Sequence, residues 1–306
     1  MNTKLVEDIA AAVLYEGYLL YPYRASAIKN KQRWNFGVLY PRSYAEQQSG
    51  SDTWWMQTEC LVRAGLNARL DLRVRFLHIV PRGRENNLVN AQAARDREVI
   101  MPVLDLSDLA SHPTRLSFMF PPDDDQACLE GIIETSSELV GDDLFKIRVG
   151  IFNQGPFAGS TREDALVQSL VSTHTILGVE DGEFISLLDP PAELREAVGL
   201  CKNIGTWPVL VGEQDQRDAM LSSPIILYDY PQIAPESSGA LFDGTEIDEI
   251  LTLRIMTLTD QEKLEMCLTD DRARQILERT ESMPHEQFMK MHGVLRGLRD
   301  VQEELL

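Results

Sequence analysis

The chain has few cysteines, and none of them lies close to another in sequence. They are Cys60, Cys128, Cys201 and Cys267. This wide spacing excludes the paired cysteines of common zinc motifs and provides no disulfide framework. Reduced thiols in a cytoplasmic protein are therefore the expectation.

The chain also lacks a long apolar run and a secretory start. No apolar segment approaches about 18 residues, the length at which a membrane-spanning helix is expected. Residues 1–8 carry acidic side chains and no apolar core of a signal peptide. We therefore expect no membrane insertion and a cytoplasmic location. The chain has 306 residues, 43% hydrophobic and 25% charged, which is typical of one large or two smaller folded domains.

Basic residues are scarce relative to acidic ones. The chain has 29 Lys and Arg against 48 Asp and Glu, so its net charge is −19. Residues 1–100 carry 14 basic and 10 acidic side chains, whereas residues 101–306 carry 15 and 38. An acidic body opposes binding to nucleic-acid phosphates, so no nucleic-acid partner is expected. It suits solubility and charge-complementary docking to a protein partner.

Familiar catalytic and cofactor motifs are absent from the sequence. There is no phosphate-binding glycine loop, dinucleotide fingerprint, nucleophile elbow or kinase motif. None of the five histidines has the spacing of a metal-ligand motif. The sequence therefore predicts no cofactor, no metal and no catalytic residue, and it favours a protein that is not an enzyme.

Four segments with period-two hydrophobicity predict β-strands, each with one polar face. They are residues 34–40, 70–76, 116–120 and 145–151. We predict an α+β fold with an antiparallel β-sandwich-like core, either a sandwich or a half-barrel. The predicted divisions are 1–33 for an N-terminal helix and a basic, aromatic segment, 34–155 for the antiparallel β domain, and 156–306 for a C-terminal region, α/β to α-helical, packed on it.

Helical patterns flank this β-rich part. Leu5, Ile9 and Val13 predict an N-terminal helix, and capping boxes begin at Thr161, Thr245 and Thr259. The first box predicts a helix that continues to His174 along an apolar stripe. Residues 207–211 and 224–228 are interpreted as short buried strands.

A basic–aromatic segment, residues 15–34, is the first candidate binding surface. Aromatic rings interleaved with cations are typical of protein interfaces, and they also stack on bases or bind phosphate. The alternative is that the tyrosines pack at a helix-to-sheet junction while the cations stay solvated. The candidate partner-binding residues are Tyr18, Tyr21, Tyr23, Arg24, Lys29, Arg33 and Trp34.

Carboxylates in the last third of the chain are the second candidate site. Converging carboxylates can bind a hard cation or act as an acid/base pair, although acids at a helix start are favoured by the helix dipole alone. His174 joins them as a buried histidine or a ligand, and a thiol-nucleophile arrangement with Cys201 and Asn203 is a further alternative. The weak ligand candidates are His174, Asp229, Glu236, Asp243 and Glu246.

Five segments give the chain a resemblance to a known family. They are residues 14–24, 33–41, 186–191, 203–212 and 222–254. On these segments the chain resembles a protein family that is encoded beside the large and small subunits of actinobacterial-type nickel–iron hydrogenases. The resemblance carries over no catalytic residue. It implies an accessory or assembly role in hydrogenase biogenesis.

Two functional hypotheses follow. The first is a non-catalytic accessory protein that docks a protein partner, either a hydrogenase subunit or a maturation factor. The alternative is an enzyme or metal-handling protein that uses carboxylates between Asp229 and Asp248.

Overall fold

Strands form a larger part of the structure than helices do. A computed structural model describes residues 3–16, 21–24, 27, 36–50, 52–81, 92–123, 127–232, 241, 248–284, 286 and 289. The strands in these residues are β1 (Trp55–Pro81), β2 (Gln92–Ile100), β3 (Leu104–Asp105), β4 (Thr114–Phe120), β5 (Leu129–Leu139), β6 (Leu144–Asn153), β7 (Val171–Phe184), β8 (Trp207–Leu210) and β9 (Ala219–Ser223). The helices are α1 (Thr3–Tyr15), α2 (Arg42–Ala45), α3 (Leu106–Ser111), α4 (Arg162–Leu166), a 3₁₀ turn (Ala192–Leu194), α5 (Arg195–Gly199), α6 (Asp248–Met256), α7 (Asp260–Thr269) and α8 (Asp271–Glu281).

The nine strands form one sheet around the long strand β1. The main order is β4–β5–β6–β1–β7–β9–β8, and β2 and β3 also pair with β1. On one side β1 pairs with β6 over its first third and with β2 over its last third. On the other side β7 pairs with its middle, between Val62 and Leu77. Each of these pairings is antiparallel. The predicted α+β class with an antiparallel core is therefore confirmed.

The sheet folds back on itself. The Phe76 ring on β1 lies 5.9 Å from the Phe118 ring and 5.8 Å from the Phe120 ring, both on β4. In the sheet order β5 and β6 separate these strands, and neighbouring strands are spaced about 4.8 Å apart. Direct ring contact therefore requires two layers, as predicted for a sandwich-like core. The layers enclose buried apolar side chains, among them Val62, Leu70, Leu72, Val74, Ile133, Ile147, Val149 and Leu177.

Helices cover the outer faces of the sheet. Helix α1 packs Val6, Ile9 and Val13 against the β7–β9 side of the sheet, in a cluster that includes Ile176 and Leu221. The C-terminal helices α6 and α8 form a second cluster over the odd-numbered face of β1, with Leu251, Ile255, Ile276, Leu277, Leu77 and Ile79 among its members. No described helix has the length and hydropathy that crossing a bilayer demands.

The sequence predicted a helix from Thr161 to His174, but only its first residues, up to Leu166, are helical. Thr161 forms the predicted capping box with Asp164, but helix α4 ends at Leu166. Residues 171–176, which include His174, belong to β7 instead. The run Val171-Ser-Thr-His-Thr-Ile176 is rich in β-branched residues, which favour strands because their χ1 freedom is restricted in a helix. The Thr259 capping box before α7 is confirmed, and Thr245 lies outside the described residues.

Two predicted strands are also wrong. Of residues 34–40 the structure describes 36–40, and these form only an isolated bridge at Leu39. Residues 224–228 form no strand, because β9 ends at Ser223 and Pro224 cannot donate to a sheet ladder. By contrast, β8 over Trp207–Leu210 matches the strand predicted at 207–211. The proposed divisions at residues 33 and 155 stay predictions.

The Asn153 side chain, at the end of β6, forms hydrogen bonds with three neighbouring loop segments. It is fully buried, and its Nδ2 donates to the carbonyls of Leu39 and Gln168 at 2.8 and 3.0 Å. Its Oδ1 accepts a hydrogen bond from the Gly155 N–H at 2.9 Å. One side chain thus satisfies three backbone groups in the interior.

Replacing Asn153 by alanine should therefore destabilise the fold. Asn153→Ala leaves buried donors and acceptors without partners, which costs about 3 kcal/mol of unfolding free energy. Urea denaturation followed by circular dichroism measures this loss. The neighbouring exposed Gln154→Ala is the control and should change little. An Asn153→Ala variant as stable as wild type would contradict the proposed role.

Candidate functional site

A cleft of about 470 Å³ lies where the loops after β7, β8 and β9 meet. Ser186, Leu188 and Asp189 come from the first loop, and Gln214, Asp215 and Arg217 from the second. Tyr228, Asp229, Tyr230 and Gln232 come from the third, and Leu210 at the end of β8 completes the lining. Residues far apart in sequence therefore share one concave surface, which is the usual form of a binding site.

Asp229 connects the segments that line the cleft through hydrogen bonds. Its Oδ2 accepts a hydrogen bond from the Ser186 hydroxyl at 2.5 Å, and its Oδ1 accepts from the Leu210 N–H at 2.8 Å. The Ser186 Oγ in turn accepts from the N–H groups of Leu188 and Asp189. Both carboxylate oxygens of this predicted ligand residue therefore already accept hydrogen bonds that join two loops.

Tyr230 completes the contact with β8. Its backbone N–H donates to the Leu210 carbonyl at 2.8 Å, and its own φ of 54° lies in the left-handed region. Burial raises the pKa of the Tyr230 hydroxyl, and a hydrogen bond with Arg217 partly opposes that effect. Asp229 and Tyr230 therefore occupy both backbone hydrogen-bonding groups of Leu210.

The rim of the cleft combines free carboxylates with exposed apolar and aromatic groups. Asp189 and Asp215 are exposed, and their carboxylates form no hydrogen bond or ion pair with the part of the chain that is described. Tyr228 is 86% exposed and Leu188 is 55% exposed. Asp189, Asp215 and Asp229 outnumber Arg217, the cation in the cleft lining, so the cleft attracts cations.

The described part of the basic–aromatic segment contacts the C-terminal part of the chain. Tyr23 is fully buried, and its hydroxyl donates to the Leu241 carbonyl at 2.8 Å. The Tyr21 ring lies 6.2 Å from the Tyr23 ring. Arg24 forms an ion pair with Glu262 of α7 at 3.2 Å. The partner-binding role of these residues stays a prediction, and each of them has contacts within the chain.

The other predicted residues of both sites lie outside the described residues. In the basic–aromatic segment these are Tyr18, Lys29, Arg33 and Trp34, and among the acids they are Glu236, Asp243 and Glu246. Within the described ranges, no three His, Cys, Asp or Glu side chains form a group able to hold a metal ion.

His174 is buried in the sheet and stays neutral at physiological pH. Its Nδ1 lies 2.9 Å from the Ser172 carbonyl, so Nδ1 carries the proton in the neutral tautomer. Burial lowers the pKa of His174 to about 4, and the nearby Arg75 lowers it further, against the hydrogen bond to Ser172.

The predicted thiol-nucleophile arrangement finds no support in these contacts. Cys201 packs near Leu61 and Ile185 rather than beside His174. Burial raises the pKa of the Cys201 thiol to about 11, with Glu59 adding to the effect, so the thiol stays protonated. Asn203 uses its amide to bind the N–H and the carbonyl of Glu59 at 2.8 and 3.2 Å.

Comparison with protein-family models and with curated proteins yields no match for this chain. The cleft therefore has to be interpreted from its own residues. Of these, sequence reasoning identified only Asp229 as a candidate. It missed Asp189, Asp215 and Tyr228. Asp189 and Tyr228 lie in the segments 186–191 and 222–254 that sequence analysis singled out, whereas no sequence signal marked Asp215.

Asp229→Asn should loosen the cleft. The amide replaces one acceptor oxygen with a donor, which then faces either the Ser186 hydroxyl or the Leu210 N–H, at a cost of about 2 kcal/mol. Hydrogen exchange at the Leu210 amide should become faster, and urea denaturation should show the lost stability. Asp142→Asn in the exposed β5–β6 turn is the control. Unchanged exchange at Leu210 would contradict the role of Asp229.

His174 should make the fold sensitive to acid. Its pKa is about 4 in the folded chain against 6.5 for an ordinary histidine, so only the unfolded chain takes up this proton between those values. Stability should therefore fall as the pH drops from 6.5 to 4, by roughly 3 kcal/mol from this residue.

Urea denaturation at a series of pH values measures how steeply the unfolding free energy falls as the pH drops. His174→Asn retains a donor for the Ser172 carbonyl and should show a shallower pH dependence. His112→Asn, at an exposed position, is the matched control and should follow wild type. Equal slopes for wild type and His174→Asn would refute the expectation.

Proposed function

We propose that this protein is a non-catalytic accessory or assembly protein that docks a partner protein in the cytoplasm. The partner proposed is a subunit or a maturation factor of a nickel–iron hydrogenase. The family resemblance supports the hydrogenase context, and the cleft supports the docking of a protein segment.

The composition of the cleft rim is the observation that carries the proposal. Tyr228 is the most exposed of the chain's large hydrophobic and aromatic side chains that the structure describes, and it stands beside Leu188, Asp189 and Asp215. Exposed tyrosines next to charged groups are typical of binding hot spots, where an aromatic ring becomes buried on association. Free carboxylates at the same rim select a basic side chain on the partner.

Three of the five segments that carry the resemblance meet at this cleft. Segment 186–191 supplies Ser186 and Asp189, and segment 203–212 supplies Leu210. Segment 222–254 supplies Tyr228, Asp229, Tyr230 and Gln232. The hydrogen bonds of Asp229 join all three segments. A docking role for the cleft accounts for the presence of all three segments at one site.

A Lys or Arg of the partner is proposed to lie between Asp189 and Asp215, with Tyr228 beside it. A cation over a tyrosine ring gains cation–π energy, and the carboxylates of Asp189 and Asp215 complete its coordination. In an acidic protein such a contact also gives electrostatic guidance to a basic partner surface. The basic–aromatic segment remains the second proposed contact.

Charge reversal and ring removal at the rim should weaken the complex. Asp215→Lys repels the partner cation, and Tyr228→Ala removes the ring, so each should lower affinity about tenfold or more. The tagged protein is purified from its own cell, and bound proteins are identified and quantified by mass spectrometry.

Asp142→Lys and Leu66→Ala alter exposed residues outside the cleft and serve as controls. The expected result is a hydrogenase subunit or maturation factor with wild type and both controls, and much less with the two cleft variants. Equal recovery with the cleft variants would reject the cleft. Recovery of no hydrogenase protein would reject the hydrogenase context.

A further inference from the structure

The β8 end of the sheet is closed to further strands. Strand β8 has four residues and contains Pro208, which has no N–H to offer. The Leu210 N–H donates to Asp229, and the Leu210 carbonyl accepts from the Tyr230 N–H. The loop after β9 therefore covers the outer side of β8, which is a common protection against edge-to-edge pairing.

The exposed sides of β7 and β2 are protected as well. Along β7, Ser172 and Thr173 donate to the carbonyls of Phe36 and Gly37, and Val179 and Phe184 donate to those of Asp218 and Arg217. Strand β2 presents charges of both signs, at Arg95, Asp96, Arg97 and Glu98. Asp96 also forms an ion pair with Arg272 of α8 at 3.2 Å. Charged side chains of this kind discourage an added strand.

Strand β4 has fewer of these protections. Arg115 is its one charged residue, prolines only flank it, and Arg97 of β2 lies over the Phe120 ring at its end. Strand β4 pairs with β5 one residue to one, from Thr114 opposite Thr135 to Phe120 opposite Leu129, without a bulge. No backbone hydrogen bond joins its outer side to another described residue. Alternate peptide groups of this seven-residue strand are thus unpaired within the described chain. A regular, open edge of this kind is a template for a further strand.

The apolar layer is also incomplete at β4. Leu116, Phe118 and Phe120 point to the core but are only half-buried. By contrast, Leu72 and Val74 on the core face of β1 are fully buried. An added strand with apolar residues on this face would cover the remaining apolar surface of β4.

The sequence of β4 suits antiparallel pairing between two copies of this strand. Pro113 and Pro121 each stand four residues from Ser117, so the strand between them is centred on Ser117. Two copies paired about Ser117 place Leu116 opposite Phe118 and Arg115 opposite Met119. In this register the apolar residues meet on the core face, and no like charges are directly opposite.

We propose that β4 pairs with β4 of a second copy of this chain, in antiparallel register about Ser117. The result is a two-fold symmetric dimer with one continuous sheet through both copies. Other registers shorten the ladder because of the flanking prolines, and the register centred on Arg115 sets two cations against each other. β4 and β8 are at opposite ends of the strand order, so this contact is separate from the cleft beside β8.

Sedimentation velocity over a concentration series tests the dimer in the purified full-length chain. We expect a monomer–dimer equilibrium with a small contact area. Each copy carries a net charge of −19, so added salt should tighten the dimer by screening the mutual repulsion. A wild-type chain that stays monomeric at every concentration and salt would overturn the proposal.

Substitutions at the exposed positions 117 and 119 test the register. Ser117 faces itself, so Ser117→Lys and Ser117→Glu should both weaken the dimer. Met119 faces Arg115 twice in the dimer, so Met119→Lys should weaken it about tenfold, whereas Met119→Glu should preserve or tighten it.

Asp142→Lys in the β5–β6 turn is the matched control and should dimerise like wild type apart from its lower net negative charge. Thermal unfolding establishes that each variant is folded, because residue 119 also lies opposite Glu130 within the chain. A dimer that is indifferent to charge at both positions forms through another surface and would refute the proposal. Equal effects of Met119→Lys and Met119→Glu on the dimer affinity would refute it as well.

Discussion

Pairing of β1 on both of its sides is the constraint on which the rest of the fold depends. One long strand belongs to both layers of the sandwich, because β6 pairs with its beginning, β7 with its middle and β2 with its end. The even-numbered side chains of β1 fill the space between the layers, and odd-numbered ones such as Leu77 contact the covering helices. Damage to this strand therefore affects both layers and their cover together.

The sequence predicted the elements whose hydrophobic period was undisturbed. Leu70 to Phe76 alternate cleanly, and Thr161 and Thr259 form the capping boxes that their spacing indicated. The prediction failed at His174, where apolar residues at helical spacing overlapped a β-branched run. In that segment the pairing with β1 decides the structure, and partners remote in sequence leave no local signal.

The cleft was less accessible to sequence reasoning than the fold. Asp229 was singled out as an acid, but its role depends on the Ser186 hydroxyl and the Leu210 N–H, which only the folded chain brings to it. Asp189 and Asp215 belong to different loops and share no motif. What marks them is the lack of a partner within the described chain, together with the neighbouring Tyr228, and both properties exist only in three dimensions.

The long strand has a consequence for how the chain folds during synthesis. Val62 of β1 pairs with Phe184 of β7, which leaves the ribosome more than a hundred residues later. Such distant pairings slow folding, since the closure entropy of the loop comes before the contacts that offset it. Until β7 is made, the nascent chain exposes the apolar face of β1 and an unpaired edge. Residues 55–81 are therefore the part of the nascent chain most exposed to aggregation in this interval.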